Sequence, residues 1–195
     1  MPRVEPLRRE DLPQYEDQFV LIESVMGFLP TSLLTMARSP ALLEHLTGLV
    51  GAATTMGHID PPLVHLVSHV ASRAAGCTYC QAHTATHGKH AGVPAEKLDA
   101  VWEFEFSELY TPAEQAALRL ARDAALVPNA TTDAHFDELR RYYDDDAIVQ
   151  IVAVISAFGF LNRWNDTMAT RLEDVPRSFA EDHLTDMGWR AGRHA

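Results

Sequence analysis

The chain contains two cysteines, three residues apart in Gly76-Cys77-Thr78-Tyr79-Cys80-Gln81-Ala82-His83. On the first turn of a helix that spacing lets the pair close a small disulfide. The N-terminal end of a helix also favours the thiolate, the form that attacks peroxides or disulfides. His83, His87 and His90 follow at steps of three, four and three, so all five side chains share one helical face. His83 lies one turn beyond Cys80 and can hydrogen-bond or exchange a proton with its sulfur. Tyr79, between the cysteines, either donates a hydrogen bond to substrate or simply packs.

Three readings of this helix compete: buried small thiols beside surface histidines, a metal site, and a redox dithiol. The metal reading meets a geometric obstacle. On one continuous helix Cys77 and His87 are about 15 Å apart along the axis, whereas zinc bonds measure about 2 Å. A subset such as His83 and His87, helped by His65 and His69, remains open to a metal. Redox chemistry is the reading that uses both cysteines.

The elements that must position this helix read as α throughout. Asp11 opens a helix to about Met26, and Gly27-Phe28-Leu29-Pro30 breaks it. Ser32 to Ala37 forms a short segment, and Ser39-Pro40 starts a helix reaching about Met56. Asp60-Pro61 starts the next, which stops at Gly76; Cys77 then opens the dithiol helix, ended by Ala91-Gly92. Thr111-Pro112-Ala113-Glu114 combines a capping box with a first-turn proline. Asp144 to Asp146 precede a long apolar helix that continues to about Ala169. No segment alternates with period two. The expectation is an all-α single domain spanning 1–195, a helical bundle of roughly eight helices with its redox core at about 60–92. The tail at about 170–195 lacks periodicity, with Trp189 as an anchor. In the last long helix Asn162, Arg163, Trp164, Asn165 and Asp166 form either a buried polar network or, with Asn162, part of a pocket near the cysteines.

Lys plus Arg number 16 against 27 Asp plus Glu, for a formal charge of −11. That balance argues against a nucleic-acid or anionic-membrane partner. Two cysteines are no secreted disulfide scaffold, and Met1 to Glu10 lacks the apolar core of a signal peptide. The run from Ile151 to Leu161 is too short to span a bilayer, so a cytoplasmic location is expected. Phosphate loops and dinucleotide fingerprints are absent, and no bound cofactor is expected.

Val67 to Thr84, which includes Arg73-Ala74-Ala75-Gly76-Cys77-Thr78-Tyr79-Cys80-Gln81-Ala82-His83, together with Ala91-Gly92-Val93, resembles the alkylhydroperoxidase D-like, or carboxymuconolactone decarboxylase, superfamily. Met26 to Ser32 and Phe160 to Asp166 also look like its peroxidase-related, two-cysteine branch. The resemblance implies an alkylhydroperoxidase D-like fold, homo-oligomers, and thiol-dependent (peroxiredoxin-type) reduction of organic hydroperoxides. It further implies that Cys80 attacks the peroxide and Cys77 resolves the sulfenic acid. An external dithiol, lipoyl-bearing or thioredoxin-like, would restore the pair. The family histidine falls where this chain has Thr84, with His83 one position early. The family relay glutamate falls on His65, and no carboxylate occurs between Pro61 and Cys80. The relay would then be rebuilt from His65 or His69, since histidine moves protons near neutral pH. Two alternatives are a decarboxylase acting on a small lactone acid and a non-catalytic redox sensor that uses the dithiol as a switch.

Overall fold

Helix starts in this chain are set by side chains that replace the missing hydrogen-bond partners of a first turn. Asp60 accepts the Leu63 N–H at 3.0 Å ahead of α4 (Pro61–Ala74). The Cys77 sulfur accepts the Cys80 N–H at 3.4 Å ahead of α5 (Thr78–His90). Thr111 and Glu114 form the expected reciprocal box at α7 (Pro112–Ala124), and Asp144 caps α9 (Asp145–Met168). Ser39 makes no such bond, so α3 (Pro40–Thr55) starts on the proline alone.

The computed structural model describes all 195 residues, with no strand. Besides the helices named, it contains α1 (Glu16–Met26), α2 (Thr31–Met36), α6 (Ala95–Asp99), α8 (Asp133–Leu139) and α10 (Asp174–His183). Ten helices thus replace the expected eight or so, and eight of the ten are seven residues or longer. The addition that matters is α10. Its residues lie in the segment read as aperiodic, which instead packs directly on α5.

The main core is the contact of α4, α7 and α9, filled by side chains such as Leu66, Val70, Leu118, Leu120 and Ile151. Gln150, fully buried on α9, accepts the His58 and Ile59 N–H groups and donates to the Ala53 carbonyl. It thereby fixes the α3–α4 connection. At 24 residues α9 is long and apolar enough to cross a bilayer. Here it is the central helix of the bundle, packed on α3, α4, α5 and α7, with Asn162 and Asn165 buried along it.

A second cluster joins Cys77, Tyr79, Cys80, Ala82 and Ala85 of the dithiol helix to Leu172, Ala180, Leu184 and Trp189. Trp189 is the anchor expected of it: its indole N–H donates to the Thr78 carbonyl at 2.9 Å. Gly88 lets α5 approach its neighbours, since a Cβ there would meet Leu98 Cδ2 at 3.2 Å and His65 Cβ at 3.6 Å. Phe104 is core, while Phe106 stands 93% exposed.

Two substitutions separate core from cap. Leu118→Ala removes a fully buried side chain and is expected to cost about 2–5 kcal/mol. Thr111→Ala, which breaks only the capping box, is expected to cost about 1 kcal/mol. Urea unfolding of both variants measures the difference.

Candidate active site

The dithiol helix α5 is polar in sequence yet buried along most of its length. Its first turn carries both cysteines, as free thiols. Cys77 is the N-cap residue and fully enclosed; Cys80, in the first turn, is 3% exposed. The Cys77 sulfur accepts the Cys80 backbone N–H at 3.4 Å. The Cys80 sulfur also receives the Asn165 side-chain amide at 3.5 Å. Asn165 lies on α9, three residues beyond Asn162 and one before Asp166.

The two thiols have opposite electrostatics. The Cys80 hydrogen bond, the neighbouring His194 ring and the Cys80 backbone N–H pull Cys77 down to about 6 against the opposing effect of burial. Burial pushes the Cys80 thiol well up, and the adjacent Cys77 and Asp166 charges push it further. The arrangement therefore stabilises charge on Cys77 and a proton on Cys80.

His83 directs its Nε2 at the start of α10. Its Nε2–H donates to Glu173 Oε2 at 2.6 Å, and its ring stacks on Tyr79 with centroids 4.2 Å apart. Glu173 is the N-cap residue of α10. Its other oxygen accepts the Tyr79 hydroxyl at 2.8 Å and the Thr31 N–H at 2.5 Å. Burial pushes this carboxyl up, but His83, the Thr31 N–H and its own backbone N–H outweigh that and hold it below the ordinary carboxylate range. Phe28 closes the network edge-on, 4.9 Å from His83 and 5.9 Å from His87 by ring centroids. Gly27, at φ 80°, makes the turn that brings Phe28 there.

His65 and His69, the residues expected to rebuild the relay, are engaged by neighbours of their own. His65 stacks on His87 at 6.0 Å, and burial together with His90 pulls it down to about 4. Burial, then Arg73, pulls His69 down to about 4, and its Nδ1 lies 2.8 Å from the Thr84 hydroxyl. His87 is pulled down to about 3, by burial first and then by its histidine neighbours. All three rings are neutral near pH 7 and have no proton to give as imidazolium. Thr84, at the position of the family histidine, donates to the Cys80 carbonyl at 2.7 Å. The His69 ring therefore reaches that position from α4. No three His, Cys, Asp or Glu side chains converge closely enough to hold a metal ion.

Asn162 is buried, with neither side-chain amide atom hydrogen-bonded. It lines a groove of about 880 Å³ that also touches Ala75, Ser156, Gly159 and Asp166. That groove runs along α9 to the end of α4, two residues before Cys77. Two site residues were not anticipated, Glu173 and His194. The one available signal was Glu173-Asp174-Val175-Pro176, acidic residues then a first-turn proline, which marks a helix start.

The Glu173 carboxylate supports a pH prediction. Because its folded pKa is depressed, its contribution to stability is present above the unfolded value of about 4.3 and fades as pH falls through the lower folded value. Glu173→Gln is expected to lower stability by about 1–3 kcal/mol at pH 7. The gap from wild type should shrink below about pH 4, as read from thermal melts across pH.

Comparison with known proteins fits this geometry. Residues 40–123 match the carboxymuconolactone decarboxylase family. The debrominase Bmp8, solved as a cysteine-to-alanine variant in complex with 2,3,4-tribromopyrrole, is 38% identical. The match covers 92% of this chain and 96% of Bmp8, with a TM-score of 0.87. A peroxidase-related protein of Ralstonia eutropha JMP134 with an alkylhydroperoxidase core is 20% identical over 90% of this chain and 94% of its own, with a TM-score of 0.79. That likeness speaks for the fold. Bacillus subtilis (strain 168) YdfG is 24% identical over 119 residues, 60% of this chain and 81% of YdfG. The chain belongs to the alkylhydroperoxidase D-like, or carboxymuconolactone decarboxylase, superfamily.

Proposed function

We propose that this chain is a dithiol-dependent reductase that passes two electrons from Cys77 and Cys80 to a small electrophilic substrate. The observation that supports this most is the asymmetric thiol pair: one sulfur held as thiolate at a helix N-cap, the other held protonated beside it. Cys77 is then the attacking sulfur and Cys80 the resolving one, the reverse of the order the family resemblance implies. The groove along Asn162 is the route by which substrate approaches.

With an organic hydroperoxide, the Cys77 thiolate takes the terminal oxygen. The O–O bond breaks, its electron pair leaves on the alkoxide, and the alkoxide takes one proton to become the alcohol. The Cys80 thiol then attacks the sulfenic acid, the S–S bond forms, and water departs. An external dithiol, lipoyl-bearing or thioredoxin-like, reduces the disulfide by exchange. The His83–Glu173–Tyr79 network is the proton source, fed from solvent.

One specific observation favours a second substrate class. The 38% identity to the debrominase Bmp8 extends over nearly the whole chain. A halogenated aromatic fits the same sequence of steps. The Cys77 thiolate takes the halogen, the ring carbanion takes a proton, and the Cys80 thiol displaces halide as the disulfide forms. In both cases sulfur accepts an electrophilic atom, and the site must deliver a single proton.

The test counts thiols. One equivalent of cumene hydroperoxide or of a polybrominated pyrrole should consume both thiols together, yielding alcohol in the first case and bromide in the second. Turnover with excess dithiothreitol should fall about 10³-fold or more in Cys77→Ser and about 10²-fold in His83→Asn. Retention of both thiols with either substrate sinks the proposal. A single oxidation that dithiothreitol does not cycle supports a redox sensor instead.

A further inference from the structure

His194 is the penultimate residue of the chain, yet it is fully buried. Several bonds hold the tail that carries it. Trp189 donates to the Thr78 carbonyl, and the Thr78 hydroxyl donates to the Ala191 carbonyl at 3.3 Å. Leu172 N–H donates to the His194 carbonyl at 2.9 Å, and Arg193 pairs with Asp166 at 2.9 Å. The tail thus packs against the start of the dithiol helix and its cysteines.

The tautomer of the His194 ring follows from its partners. Nδ1 lies 2.8 Å from the Thr170 carbonyl, which can only accept, so Nδ1 carries a proton. Nε2 is left with a lone pair in the neutral ring, buried and without a hydrogen-bond partner. Such a nitrogen is costly to bury unless it has work to do. Asp166 Oδ1 stands 3.7 Å from it, placed to stabilise the ring once charged.

We infer that His194 is the base that activates Cys77, drawing the thiol proton onto Nε2 to leave a thiolate–imidazolium pair beside Asp166. The inference rests on the reading of Cys77 as the attacking sulfur. The proton moves from Cys77 Sγ to His194 Nε2, and no electron is transferred until substrate arrives. The pKa of Cys77, drawn down to about 6, agrees: the Cys80 hydrogen bond contributes most, and the His194 ring also lowers it. Other groups facing the pair are Cys80 and Tyr79 of α5, Asp166 of α9, and Arg177 of α10, whose guanidinium contacts the His194 carbonyl at 3.5 Å. Arg193 is engaged by Asp166, and Glu173 by Tyr79 and His83. His194 is therefore the imidazole that would exchange a proton with a sulfur, a role that the sequence suggested for His83.

The experiment titrates Cys77 by thiolate ultraviolet absorbance in a Cys80→Ser background, which removes the second sulfur but keeps a hydrogen-bond donor. Adding His194→Gln should raise the midpoint by about one unit or more, cutting the thiolate fraction near neutral pH up to about ten-fold. A loss of packing alone would lower the melting temperature without moving the midpoint. A folded His194→Gln variant that titrates at the parent pH overturns the inference. Should that variant not fold, the His194 ring is titrated by NMR in wild type and in Cys77→Ser, where serine is itself a good N-cap. The ring midpoint should fall by about one unit or more without the thiolate, and equal midpoints overturn the inference. Neither readout uses a substrate, so failure of the hydroperoxide and halide assays is distinguishable from failure here.

Discussion

A helix rich in threonine, histidine, glutamine and cysteine is buried against α4, α9 and α10, and most of its polar groups need partners there. That constraint shapes the site. A buried, unpaired polar group costs about 1–3 kcal/mol, so a helix with α5's composition is stable inside only if other segments bring matching donors and acceptors. Thr84 and Thr86 satisfy themselves on carbonyls of their own helix. Thr78 and Cys80 are met by Ala191 and Asn165, and Tyr79 and His83 by a single carboxylate, Glu173. The partners come from α9, from the N-cap of α10 and from the last turn of the chain.

The same arrangement separates the two thiols electrostatically. Cys77 is at the helix mouth, where the Cys80 N–H, the Cys80 thiol and an imidazole all face it. Cys80 is three residues further along, where burial, the Cys77 charge and the Asp166 charge all oppose its ionisation. A pair of chemically identical side chains three residues apart thus has one thiol pulled down and the other pushed up. Both sulfurs are buried, so the difference arises from which neighbours act on each, and it belongs to the packing.

A carboxylate does meet the dithiol helix, but from a segment other than the one the family pattern names. The family pattern places a glutamate on the preceding helix, where this chain has His65. That ring is neutral near pH 7 and stacked on His87. Glu173 instead reaches the dithiol helix from the opposite end of the chain, 90 residues beyond His83. It remains ionised while buried because three donors converge on its two oxygens. A shared fold with Bmp8 and with peroxidase-related proteins therefore leaves the proton chemistry to be read from this chain's own residues.

The helical class, most helix starts and the dithiol were legible in the amino-acid order, because they depend on neighbours within four residues. Asp60-Pro61 and Thr111-Pro112-Ala113-Glu114 carry their caps locally, and Cys77 and Cys80 carry their spacing. Trp189 was legible as an anchor by its size and apolarity. The pairing of Glu173 with His83 and the seating of the last segment on Thr78 were not, since these contacts join residues 90 and 113 positions apart. No periodicity records such contacts. Sequence alone established that this protein carries a helix-borne pair of sulfurs; only the tertiary structure decided which thiol is pulled down, which is pushed up, and which carboxylate meets Tyr79 and His83. Charge stabilisation depends on burial and on partners that the chain brings together only by folding.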